Sequence, residues 1–235
     1  MPTQQAAPTR RERARAQTVA EIKAAARRHL VDHGVEGVQL RAIARDLGMT
    51  APALYRYFES HEALLTALVV DLYGELADVV EQAAEAVREE GPWERLGEAA
   101  RAFRRWSVTH PREFTLLFGS PIPGVGIAPD SPEKASGQRF GQAFGRLFAE
   151  LWAAKPFPPE ELDPRLEQAL QDYAEHVGVD MPPPALVAFV SGWVRLYGAV
   201  TMEVFGHVSF VLTDAEPLFE RELVNIAREL GAFDD

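Results

Sequence analysis

Apolar side chains recur along this chain every three to four positions, the period of an α-helix, and no run shows the strict alternation of a half-buried strand. The pattern predicts helices over 18–31, 40–47, 51–58, 60–90, 93–109, 111–118, 133–154, 164–177, 184–206 and 214–230. Gly34 and Gly37 separate the first two, Gly48 the next pair, and Gly91-Pro92 ends the long fourth segment, which would be a rod of roughly 45 Å. Two stretches, 119–132 and 155–164, hold too much proline and glycine for helix and read as loops. The expected fold class is all-α: a small three-helix unit at the N-terminus, followed from about Ser60 by a larger helical body. No internal repeat is visible.

The segment 40–58, LRAIARDLGMTAPALYRYF, is the most informative. Leu40, Ile43, Ala44 and Leu47 share one face of the second helix. Gly48 suits a left-handed position after it, Thr50 can cap the next helix, and Pro52 falls in a first turn where its missing N–H costs nothing. At 100° per residue Leu54 and Phe58 form the inner line of the third helix, Pro52, Ala53 and Arg56 point outward, and Tyr55 and Tyr57 edge that outward face. Two helices joined by a glycine turn, with a small residue at Ala44 where they cross and Leu54 filling the angle, make a helix-turn-helix. Small residues at Ala51 and Ala53 let the second helix approach base edges in a DNA major groove, and tyrosine hydroxyls can bond phosphates without adding charge.

Charge sharpens this picture. Residues 1–60 carry ten Lys/Arg against six acids, a net of +4, which leaves 14 against 29, a net of −15, for the rest of a chain whose total is −11. One end can sit against a polyanion that the other end repels. Residues 1–17, with the run RRERARAQ from Arg10 to Gln17, read as a flexible basic arm that can follow a DNA backbone or enter a minor groove. The 235 residues contain no cysteine, which excludes disulfides and thiol catalysis, and residues 1–15 lack the apolar run of a secretory signal, so a cytoplasmic location is expected. The longest apolar stretch, 185–194, is about half the ~20 residues of a membrane span and predicts a buried helix, with no membrane partner.

The stretch RAIARDLGMTAPALYRYFESHEALL, Arg41 to Leu65, resembles the tetracycline-repressor (TetR) family of transcriptional regulators, and the likeness extends back to Thr18. A looser likeness lies in GWVRLYGAVTMEVFG, 192–206. The resemblance implies all-helical homodimers whose variable C-terminal body binds a small ligand that releases a DNA operator. It assigns DNA contacts to Arg41, Thr50, Ala51, Pro52, Ala53, Tyr55, Tyr57 and His61. His61 departs from the family's usual lysine; imidazole is only partly cationic at neutral pH, so this position is either a weaker phosphate contact or a solvated first-turn residue. The domains expected are the arm 1–17, a DNA-binding domain 18–60 and a ligand-binding and dimerisation domain 61–235.

In the body, Leu186, Phe189, Val190, Trp193, Leu196, Tyr197, Val200 and Val204 cover one helix face, and Leu218, Leu223, Ile226, Ala227 and Leu230 another. Such a pair can form a four-helix interface with a second copy or pack within one chain. Aromatic residues of the middle helices are core, or line a chamber for an apolar or aromatic effector: Phe103, Trp106, His110, Phe114, Phe118, Phe144, Phe148, Trp152, Trp193 and Tyr197, with Arg105, His110 or Tyr197 orienting the guest. An effector seated there is expected to tilt the 60–90 rod and so mismatch the half-sites of a palindrome.

Other chemistry finds no support. Leu65 stands where H-E-x-x-H from His61 needs its second histidine, His29 and His33 lack a third metal ligand, and Gly124-x-Gly126 is a lone pair of glycines in a loop. No catalytic residues, metal or cofactor are expected beyond the effector. The leading reading is a ligand-responsive DNA-binding repressor; the alternative is an all-helical small-molecule-binding or protein-interaction module without sequence-specific DNA binding.

Overall fold

The computed structural model describes residues 9–125, 132–156, 161–177 and 180–232. Among them the chain forms ten α-helices and no sheet, only an isolated bridge between Ile122 and Val125. It divides into two compact units, a head of residues 1–73 and 112–135 and a body of residues 74–111 and 136–235.

In the head, α1 spans Arg10–His33 and begins eight residues before the apolar pattern does. A capping box explains the extension. The Glu12 backbone N–H donates to Thr9 Oγ1 at 3.2 Å and the Thr9 N–H to Glu12 Oε2 at 2.6 Å. The latter bond holds the Glu12 carboxyl below its usual range. Residues 10–17 are therefore helical rather than a flexible arm, while residues 1–8 lie outside the described residues. A single 310 turn, Val35–Gly37, leads to α2, Leu40–Asp46. A Cβ on Gly37 would lie 2.3 Å from His33 Cβ, so glycine alone fits this approach to α1. His29 closes the corner: Nε2 is 2.6 Å from Asp46 Oδ2 and Nδ1 3.2 Å from the Gly37 carbonyl. The His33 ring meets that of His29 edge-on, with centroids 6.1 Å apart. The head core is Ile22, Ala25, Ala26, Leu30, Val38, Ile43, Leu54, Leu64 and Leu65, all inaccessible to solvent. Two ion pairs tie its elements, Lys23 to Asp71 and Arg27 to the buried Glu113. α4, His61–Ala86, starts in the head, where Ser60 Oγ accepts from the Ala63 N–H at 3.0 Å, the cap expected of it. α6, Pro111–Phe118, adds Phe114 and Leu116 to the head interior.

In the body, α5 (Pro92–Thr109), α7 (Pro132–Ala154), α8 (Pro164–Val177), α9 (Pro183–Val204) and α10 (Glu216–Glu229) follow the apolar pattern within two residues at each end. Phe148, Leu151, Leu170, Met181, Ala185 and Leu186 form one core cluster. α9 is not the buried helix that the apolar stretch predicts: its 22 residues are long and apolar enough to cross a membrane by length and composition, and Val190, Val194 and Met202 are exposed. It also carries Arg195 and Glu203, which bond to Glu222 and Glu229 of α10 and to Arg104 of α5.

Candidate DNA-binding surface

The turn between α2 and α3 is built as its residues dictate. Gly48 takes φ 64°, a torsion that β-carbon sterics disfavour elsewhere, and the Met49 N–H returns to the Ala44 carbonyl at 2.8 Å. Thr50 then enters α3 with extended torsions, but its side chain makes no capping bond, contrary to expectation. Pro52 in the first turn, with no N–H to offer, and a very short helix leave little for a cap to satisfy. Thr50 is exposed. α3 is only Ala51–Leu54, shorter than the pattern predicts, and continues as tighter turns in which the Tyr57 N–H reaches the Leu54 carbonyl at 2.9 Å.

Leu54 and Phe58 point into the core, at 0% and 8% exposure. Arg41, Thr50, Pro52, Tyr55 and Arg56 are exposed, and Ala51, Ala53, Tyr57 and His61 half-buried. The eight residues expected to touch DNA thus lie on α2, on α3 and the turns that flank it, and at the start of α4. His61 opens α4 beside Glu62, whose carboxyl sits low because its own backbone N–H and the Ser60 hydroxyl bond to it.

The electrostatics of this surface are distinctive. Arg28, Arg41, Arg45 and Arg56 have no carboxylate within 4.0 Å among the described residues, and the same is true of Arg10, Arg11 and Arg15. Arg15 places its guanidinium 5.1 Å from the Tyr57 ring centroid, a cation–π contact that periodicity could not reveal because it joins residues 42 positions apart.

The residues expected to line an effector chamber fall in several clusters, each described within its own unit. In the body Phe103, Phe144 and Trp193 meet, with centroids 5.5 to 6.5 Å apart, and Tyr197 stacks on Trp193 at 5.5 Å. Phe140, one turn before Phe144, joins all three and completes the cluster. His110 stacks on Trp106 at 5.0 Å, and the Trp106 indole donates to Glu75. Phe148 and Trp152 belong to the α7–α9 core with Phe189. Phe114 and Phe118 pair at 4.9 Å in the head, where Phe118 also meets Tyr73. Arg105 is exposed and bonded to Glu98, so it is not placed to orient a guest. The buried cation is its neighbour Arg104, which bonds Glu203 and Glu216 and lies over Phe219.

Comparison with known proteins agrees with this geometry. Residues 22–68 match the family model for bacterial regulatory proteins of the tetR family, and residues 96–226 the tetracyclin repressor-like C-terminal domain. The chain is 34% identical over 219 residues to HTH-type transcriptional regulator Rv1816 of Mycobacterium tuberculosis (strain ATCC 25618 / H37Rv) and to Mb1846 of Mycobacterium bovis, covering 91% of this chain and 92% of either relative. Among solved structures, regulatory protein SCO4313 superposes with a TM-score of 0.75 at 30% identity, over 93% of this chain and 98% of that one. RolR, in complex with resorcinol, shares the fold at TM-score 0.55 and 18% identity, over 93% and 90%. This chain belongs to the TetR family and is a helix-turn-helix transcriptional regulator, not an enzyme.

Proposed function

We propose that this regulator binds a palindromic DNA operator as a homodimer in the cytoplasm, acts as a repressor, and lets go when an apolar or aromatic small molecule enters its body. Residues 18–60 read the DNA, and residues 61–235 sense the ligand and dimerise. The observation that carries the reading is that Arg41, Arg45 and Arg56, with no carboxylate within 4.0 Å among the described residues, are exposed on and beside α2 and α3, as are Thr50, Pro52 and Tyr55. Arg41, Thr50, Tyr55 and Tyr57 bond phosphates or base edges, and Ala51, Pro52 and Ala53 keep the entering helix slim. His61 adds a phosphate contact from the first turn of α4.

Dimerisation is supported by Val190, Val194 and Met202 on α9 and Val224 on α10, apolar and exposed on helices otherwise fixed by ion pairs. Those ion pairs also argue against a lipid role for α9. The effector is a planar aromatic that replaces contacts among Phe103, Phe140, Phe144, Trp193 and Tyr197; a protein of this fold holding resorcinol supports that class. α4 is a single helix with residues in both units, and the release signal runs along it.

The test is selection of duplexes from a random-sequence library by the full chain, followed by affinity measurement across a salt series. A shared palindrome, bound by two chains with affinity that falls steeply in salt, is the expected result. Loss of binding on adding members of a panel of small phenols would identify the effector class. Retention of no common sequence would refute the operator reading.

A further inference from the structure

The arginine stripe of α1 has no function in the helix-turn-helix itself, and the matched DNA-binding family model begins beyond it, at residue 22. At 100° per residue Arg11, Arg15, Thr18 and Ile22 fall within about 60° of one another. Ile22 is fully buried, Thr18 half-buried, and Arg11 and Arg15 are exposed. One face of α1 thus changes from apolar to cationic where the head core ends. Neither arginine has a carboxylate within 4.0 Å among the described residues, and Arg15 lies over Tyr57, a residue of the edge expected to face DNA. The Thr9–Glu12 capping box fixes the helix up to its first turn, so these cations are held on a rigid element and not on a loose tail.

We propose that residues 10–15 of α1 form a second DNA-binding element, in which Arg15, braced by Tyr57, and Arg11, about 6 Å further along the helix axis, bind backbone phosphates outside the segment read by α3. The inference rests on the operator reading above. Guanidinium groups suit this role, since a planar fork bonds two phosphate oxygens at once. Because the helix forms before DNA arrives, little ordering entropy is lost on binding. The contact adds affinity and salt dependence but no sequence preference.

The experiment compares the full chain, the double variant Arg11→Gln/Arg15→Gln and Thr9→Ala on a duplex selected by the wild-type protein from a random library. Circular dichroism confirms that each variant is folded. Expected are a salt slope of log affinity reduced by roughly 2 in the double variant, at 0.9 per lost phosphate contact, an unchanged selected sequence, and several-fold weaker binding by Thr9→Ala at constant charge. A double variant with wild-type slope and affinity, on a duplex the wild type still binds steeply, overturns the second element and leaves the operator reading intact. A Thr9→Ala variant that binds like wild type overturns the claim that a rigid helix places the arginines. If the wild type selects no duplex, the operator reading fails and this inference with it.

Discussion

The two units use arginine in opposite ways. In the head Arg27 pairs with Glu113, but Arg10, Arg11, Arg15, Arg28, Arg41, Arg45 and Arg56 have no carboxylate within 4.0 Å among the described residues. In the body, among the described residues, every arginine but Arg221 and Arg228 on α10 has one. Several of these body pairs bridge helices. Arg101 and Arg104 of α5 hold Glu220 and Glu216 of α10, Arg195 of α9 holds Glu222 and Glu229 from its other side, and Arg139 of α7 bonds Asp78 and Glu81 of α4. A cation satisfied inside the protein contributes to folding and is unavailable to a ligand. One left in water contributes little to folding and remains available for an external anion. The comparison teaches that net charge alone, +4 for residues 1–60 against −15 for the rest, understates the contrast between a surface of unpaired cations and an internally neutralised frame.

The largest effect that could break this contrast is expected at Arg104. Replacement by Met should cost about 3 kcal/mol of stability, since it strands Glu203, itself largely buried, without its partner. Urea denaturation measures this, and the folded variant should bind DNA normally. Arg56→Gln should do the reverse. Stability stays within about 0.5 kcal/mol, whereas affinity for the selected duplex drops roughly tenfold and the salt slope falls by about 0.9. An Arg56 variant that loses stability instead would place this side chain with the body class.

Acid provides a third probe. Bonds from Arg101 hold the Glu220 carboxyl below its usual 4.5, and bonds from Arg195 do the same for Glu222. Their folded-state values lie under the unfolded ones, so this stabilisation is complete above about pH 4.5 and is lost as pH falls through and below it. Melting temperature should therefore decline below that point, and Arg101→Met should flatten the decline. The smallest effects separate two caps: Ser60→Ala should cost about 1 kcal/mol, while Thr50→Ala should cost under about 0.5, because only Ser60 makes the bond. If Thr50→Ala nonetheless weakens DNA binding, its hydroxyl is used externally, like the head arginines.

Much of the fold was legible in the sequence because local rules decide it. Leu54 and Phe58 face inward, Gly48 adopts its left-handed torsion, and α6 and α8 have the expected bounds. The outward face of α3 was legible for the same reason, since outward position on a short helix follows from spacing. The start of α1 was missed although Thr9-x-x-Glu12 is a legible capping signature; the absence of an apolar stripe before Val19 hid it. What spacing cannot give is partnership between distant residues. Nothing local distinguishes the buried, bonded Arg104 from exposed Arg105, or assigns Phe114 and Phe118 to the head and Phe144 to the body. The role of the body aromatics was least legible, because a core and a ligand chamber use the same residue types.

Gly48 carries one more consequence. A Cβ built there meets nothing within 4 Å, so the position is restricted by torsion and not by crowding. Mutational tolerance at this site should therefore follow the ease of left-handed backbone more than side-chain volume. Asparagine would be accepted better than alanine despite its larger size, and valine rejected, since its branch clashes with its own backbone wherever the turn is placed.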